Sequence, residues 1–253
     1  MWARPWGRVR CLAEGLSVFD RSVVEPALGA EVTALEEVLL GLSESEVMLP
    51  TRCAPWDVAA LSVHTVGSLN QVLVALDQGR PGVSEGSVSA AGYYVPEVRF
   101  SPEVNAARVA GAVERASRRE DAAEPGRVLR GTWDALAGRL PGEPVDRRIV
   151  TRHGDPMLLT DYLVTRVVEL VLHGLDLADA LGREPWTSGA ALDVVRGVLF
   201  GSADPEELRR VLPQEVGQRG PSLAAVRAVT GRSGSEVDRA VLTAAGVRLL
   251  ALG

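Results

Sequence analysis

Lysine is absent from this chain of 253 residues: all 27 basic side chains are arginines, against 33 aspartates and glutamates, for a net charge of −6. That balance argues against a nucleic-acid partner. A lysine-free composition also reads as the codon bias of a very GC-rich genome. Every cation on offer is a planar guanidinium, a shape that suits carboxylates. Aromatic residues are scarce, at 4 % of the chain. The apolar runs are short and broken by charge, which excludes a membrane-spanning helix and any membrane partner. Residues 1–20 begin basic, but no sustained apolar segment follows and Glu14 and Asp20 come early, so no signal peptide is expected. The two cysteines, Cys11 and Cys53, form no CxxC pair. The expected setting is the reducing cytoplasm, with no disulfide.

Several catalytic signatures are missing as well. There is no GxGxxG after a strand, no Walker loop, no GxSxG elbow and no HExxH. Internal repeats and low-complexity tracts are also lacking.

What remains is helical patterning around a core that a 46 % hydrophobic fraction can fill. Helical spacing predicts a first helix over 18–42 and a second over 57–78, capped near Asp57 and stopped by Gly79 and Pro81. A Gly/Ser/Pro-rich segment over 80–102 is long for a plain connection and carries Tyr93, Tyr94 and Phe100, which suggests that it packs on something. A third helical stretch over 103–139 is expected to break around Pro125 and Gly126. A short extended piece is expected at 148–152. A fourth helix over about 159–181 ends at Gly182. Beyond it lie short Ala- and Val-rich helices, "DPEELRRVLP" and "SLAAVRAVTGR" among them, and a tail "GVRLLALG" that reads as a strand or a helix end. The fold class is mostly α.

The fourth helix poses the functional question. It is apolar nearly all round, as a core helix is. Yet Tyr162, Arg166, Glu169, His173 and Asp176 recur at steps of three and four, so they share one stripe. Charges buried without partners cost several kcal/mol each, so this stripe must face a partner, a cavity or a metal. The chain has three histidines, His64, His153 and His173. Two imidazoles and a carboxylate drawn from two bundle helices, His64 with Glu169 and His173, make a plausible set for zinc or another divalent cation. E-x-x-x-H by itself is equally compatible with a structural arrangement in which Arg166 pairs with Glu169 and His173 with Asp176. His64 can likewise belong to a wet face with Asp57, Ser68 and Gln71. His153, in the loop "TRHGDP", reads as a surface residue or as part of the mouth of a site. Trp56 reads as a core or capping aromatic, and Cys53 as an inert packed thiol.

Two segments carry a resemblance. "PTRCAPWDVAALSVHTVGSL" and "DYLVTRVVELVLHGLDLADALG" resemble, in order and separation, the two signature segments of the mycothiol-dependent maleylpyruvate isomerase family, a branch of the DinB-like metal-binding bundles. The resemblance implies a DinB-like four-helix bundle over 20–186, preceded by an N-terminal extension (1–19) and followed by a small, mainly helical C-terminal region (187–253). It implies a divalent metal, usually zinc, held by His64, Glu169 and His173, with mycothiol as a low-molecular-weight thiol cosubstrate bound there as thiolate. Reversible addition to a cis double bond then gives isomerisation, and displacement of a leaving group gives S-transfer, on a small electrophile. On the same stripe, Asp176 is a candidate partner for a ligating histidine. Arg166 is a candidate for neutralising Glu169 or gripping a substrate carboxylate. "VRAVTGR" resembles a short motif of the family's C-terminal regions, which adds Arg232, with His153, to the candidate substrate- or thiol-binding residues. An actinobacterial source and a monomer or homodimer are the accompanying expectations. Two alternatives stay open: a thiol-independent metalloenzyme on the same scaffold, as in secondary metabolism, and a non-catalytic binding protein.

Overall fold

Side-chain caps decide where most helices begin. In the computed structural model, which describes residues 17–79, 87–94, 102–218, 220–234 and 237–250, Asp20 accepts a bond from Ser22 N and opens α1 (Arg21–Leu40). Asp57 accepts from Ala60 N and opens α2 (Val58–Asp77). Each satisfies a backbone donor that the first helical turn leaves over. The stretch expected over 103–139 is two helices, α3 (Pro102–Ser117) and α4 (Glu124–Arg139). Pro125 lies in the first turn of α4, where its missing N–H costs nothing. The long helix α5 (Leu159–Leu181) ends on Gly182, at φ 61°, a left-handed cap that glycine takes without strain. Cys11, Phe100 and most of the expected N-terminal extension lie outside the described residues.

The bundle consists of α1, α2, α4 and α5. Helix α1 packs on α4 and α5, and α2 packs on the same two. The ligand-bearing helices α2 and α5 are therefore neighbours, while α4 and α5 lie diagonally across the bundle. Helix α3 stands outside this square and rests on α2. One close approach holds α1 and α4 together: a Cβ at Gly126 would come within 2.9 Å of Leu40 N and of the Leu40 side chain. By length and composition α2 is apolar enough to cross a membrane, but most of it is buried inside the bundle.

The extended piece expected near 148–152 is one arm of a hairpin. Strand β1 (Arg148–Val150) pairs antiparallel with β2 (Pro156–Leu158), which runs directly into α5. Val88 N donates to Pro156 O at 2.9 Å. This tie brings part of the Gly/Ser segment onto the hairpin, and the 3₁₀ turn Gly92–Tyr94 follows.

After α5 the chain is mainly helical: α6 (Gly189–Phe200), α7 (Pro205–Val211), α8 (Leu223–Val229) and α9 (Arg239–Ala244), with a two-residue ladder between β3 (Val216–Gly217) and β4 (Gly220–Pro221). Helix α6 packs on α1 and α5. Residues 246–250, left between strand and helix by the sequence, are neither. They are tied back through Arg248 N to Leu199 O.

Candidate metal centre and its cavity

Every residue of α5 from Leu159 to Ala178 is buried except Glu169. Within this span the break in burial falls at a carboxylate. Glu169 and His173, one turn apart, meet His64 from α2. One ligand atom from each of the three lies within 4.8 Å of the others. The His64 and His173 rings stand edge to face with centroids 5.2 Å apart. His173 Nε2 is 3.4 Å from Glu169 Oε2. On its other side, His64 stacks on Trp56 at 4.5 Å. Trp56, read as a core or capping aromatic, is also a wall of the site.

A layer of polar partners fixes the orientation of this set. Tyr94, on the 3₁₀ turn, donates to Thr165 O at 3.1 Å and to Glu169 Oε1 at 3.3 Å. His173 Nδ1 lies 3.2 Å from Asp176 Oδ2. With that nitrogen turned to a carboxylate, Nε2 faces Glu169 and His64, the arrangement typical of a metal-ligating histidine. Asp176 is held by Arg232, from beyond α8, through Nε to Oδ1 at 2.9 Å and Nη2 to Oδ2 at 2.6 Å. Gly231 precedes it at φ 71°, which turns the chain so that Arg232 points back at α5. The Cys53 thiol also donates to Asp176 Oδ2, at 3.3 Å. Cys53, His173 and Asp176 form a second close group, but both Asp176 oxygens are already engaged by Arg232.

Electrostatics agree with this division of roles. Burial, reinforced by the nearby His173, lowers the pKa of His64 to about 3, so its ring is neutral and its lone pair available. Burial would also raise Glu169, but the His173 and Arg166 charges outweigh it and hold Glu169 ionised. Burial opposes charge on His173 too, and there Asp176, Cys53 and Glu169 prevail and raise its pKa. A neutral imidazole and an ionised carboxylate suit a divalent first-row cation, and His173, oriented by Asp176, would release its Nε2 proton on binding one.

The set opens into a cavity of about 820 Å³. Arg166 and His153 both line it, so His153 belongs to a wall of the site. Arg166 makes no hydrogen bond to Glu169, but its charge helps to hold that carboxylate ionised. It donates to Ser68 O at 2.9 Å, to Thr165 Oγ1 and to the Tyr93 hydroxyl. Its guanidinium lies 4.6 Å from the Tyr162 ring centroid, a cation–π contact that helps to offset burial. Arg232 also borders the cavity, but its guanidinium is spent on Asp176. Tyr93, Tyr94, Trp56 and Arg108 are the site residues that motif reasoning passed over. The two tyrosines were flagged only as aromatics in a long Gly/Ser segment.

The family described as "Mycothiol maleylpyruvate isomerase N-terminal domain" matches residues 28–178. The chain belongs to this family. All of His64, Glu169, His173 and Asp176 fall inside the match, and Arg232 falls beyond it. A solved structure described as the crystal structure of the mycothiol-dependent maleylpyruvate isomerase has the same fold. It aligns with a TM-score of 0.52 at 14 % identity, over 87 % of this chain and 92 % of that one. None of the curated proteins compared matches the sequence. The mycothiol maleylpyruvate isomerase domain is thus built here as a mostly α, DinB-like bundle, with a mainly helical region following it.

Proposed function

We propose that this protein is a metal-dependent enzyme that uses a low-molecular-weight thiol, mycothiol in the first instance, to isomerise a small electrophile or to transfer the thiol's sulfur to it. The observation that carries the reading is the convergence of His64, Glu169 and His173 at the wall of a large cavity. Membership in a family named for a mycothiol-dependent isomerase supports the choice of thiol.

His64, Glu169 and His173 would hold the cation, zinc being the first candidate for a set of two histidines and a carboxylate. Such a cation supplies a fixed positive charge that keeps a thiol ionised at neutral pH. The rest is done by the chain itself. Tyr94 and Asp176 hold Glu169 and His173 in register. Trp56 covers one face of His64 and keeps water from it. Arg166, fixed on Ser68 O and Thr165, presents the Tyr93 hydroxyl to the cavity wall beside the ligand set, where it is placed to bind an oxygen of the electrophile. The apolar helices around the stripe lower the local dielectric, which strengthens each of these contacts.

The test is metal analysis followed by thiol titration. Purified protein is expected to take up one equivalent of divalent metal, and His64→Ala is expected to lose it with the helical content unchanged. Mycothiol is expected to raise the melting temperature of the metal-loaded protein. A metal-loaded protein that turns over its substrate without any thiol would move the reading to a thiol-independent metalloenzyme. One that takes up no metal would overturn it.

A further inference from the structure

The cavity is opposite in sign to the protein. The chain carries a net charge of −6, yet seven residues lining this one cavity are arginines and only two, Glu124 and Glu169, are acidic. Arg166 and Arg232 are consumed by internal hydrogen bonds. The other five do not all surround the metal ligands. Arg108 and Arg152 do; Arg108 feels the Glu169 carboxylate and lowers the pKa of His64. Arg115, Arg118 and Arg119 belong with Glu124, Val128 and Thr132 of α4, the helix diagonal to α5.

The lining therefore reaches both flanks of α2, toward α5 and toward α4, with α3 packed on α2; we treat the two ends as two lobes. A helix with its side chains is about 10 Å across, which sets the separation. The passage beneath α3 runs between two glycines. On the floor, a Cβ at Gly67 of α2 would meet nothing within 4 Å. On the roof, a Cβ at Gly111 of α3 would lie 3.3 Å from an Arg115 guanidinium nitrogen, so Arg115 folds back along α3 over the passage. Seven residues, or about 10 Å of helix, separate it from Arg108 on the same face. Arg118 pairs with Glu114, and Arg119 with Glu44. The Arg118–Glu114 pair faces solvent and is worth at most about 1 kcal/mol, easily exchanged for a ligand, whereas Arg119 is largely buried and also donates to Ala116 O.

We propose that the lobe between α3 and α4 is a second binding site, for an anionic group at the far end of an elongated ligand whose reactive end lies at His64, Glu169 and His173. The ligand crosses α2 at Gly67 and carries a phosphate or carboxylate about 10 Å from its reactive atom. Bidentate recognition of either group is what a guanidinium does best. The inference rests on the proposed metal site only for the position of the reactive end.

The test uses thiols on an ethylene glycol chain that end in phosphate, carboxylate or carboxamide, in a one-unit and a four-unit length. They are titrated calorimetrically at fixed ionic strength into zinc-loaded and metal-free protein. The long anionic thiols are expected to bind at least 10-fold more tightly than the long carboxamide in both forms, and the short anionic thiols are expected to show no such advantage. The length comparison is read in the zinc-loaded form, where the sulfur is held at the metal, and the double variant Arg115→Gln/Arg118→Gln, two exposed positions, should erase the advantage. Gly67→Leu should weaken every long thiol. Phosphate against carboxylate identifies the terminal group. Equal affinity of long anion and long carboxamide overturns the second site, as does an advantage already present in the short thiols or one that survives in the double variant. If zinc adds nothing for any thiol, it is the metal–thiol reading that fails, while the ratio of anion to carboxamide still judges this site.

Discussion

Arg232 and Asp176, 56 residues apart in sequence, meet in a buried two-pronged contact, Nε to Oδ1 and Nη2 to Oδ2. Through Asp176 the C-terminal region reaches His173. Arg232 is therefore a positioning residue for a candidate metal ligand. Arg232→Met should weaken zinc binding by about 10- to 100-fold, the usual effect of losing such an outer partner. Arg232→Lys should recover part of the loss. Competition against a chelator measures this without any assay of turnover. Unchanged affinity in Arg232→Met would refute the link.

Tyr94 makes a similar claim from the other side of the site. Its hydroxyl bonds Glu169 Oε1 and Thr165 O. Tyr94→Phe is expected to lower zinc affinity by a few fold and to cost about 1 kcal/mol of stability, the typical net value of a hydrogen bond. Chelator competition and chemical denaturation read the two effects separately.

Away from the site, Glu31 of α1 is fully buried. Its Oε2 accepts from Ser188 N at 3.1 Å. Its Oε1 has no hydrogen-bond partner among the described residues. Burial dominates and raises its pKa from 4.5 to about 7, with the Ser188 bond opposing. An acid whose folded pKa is raised binds its proton more tightly in the native state. Its contribution is thus complete below about pH 4.5 and is lost as pH rises through about 7. The loss is on the order of 3 kcal/mol. Glu31→Gln should flatten this part of the stability–pH curve and leave the variant more stable than the parent at pH 8. Denaturation midpoints measured from pH 5 to 8 decide it.

Gly126 marks a close backbone approach between α1 and α4. A Cβ there would press on the backbone nitrogen of Leu40 as well as its side chain, and backbone cannot swing aside. Gly126→Ala should therefore destabilise by about 1–3 kcal/mol despite its better helix propensity. A thermal melt showing a gain in stability would contradict the packing described.

Much of this architecture is legible in the sequence because its signals are local. Asp57 and Gly182 mark helix ends by chemistry that needs no tertiary context. The stripe from Tyr162 to Asp176 follows from helical geometry alone. What escaped depends on contacts between distant segments. Arg166 chose Ser68 O and Tyr93 over Glu169, and no spacing rule predicts a choice between partners on another helix. Tyr93 and Tyr94 reach α5 only because Val88 pairs with the hairpin, whose second strand was not foreseen. The role of Trp56 as a lid on His64 required knowing how the chain enters α2, since Trp56 lies just before the Asp57 cap and His64 inside the helix.

His64 and the Glu169–His173 pair stand on helices whose other faces are gripped by the core, so under the proposed reading their arrangement does not depend on a cation to hold it. Stripping the ion should then leave helical content and amide-exchange protection nearly intact, unlike small domains that fold only around zinc. The protein would wait empty in working shape, and metal supply would govern its activity without governing its survival.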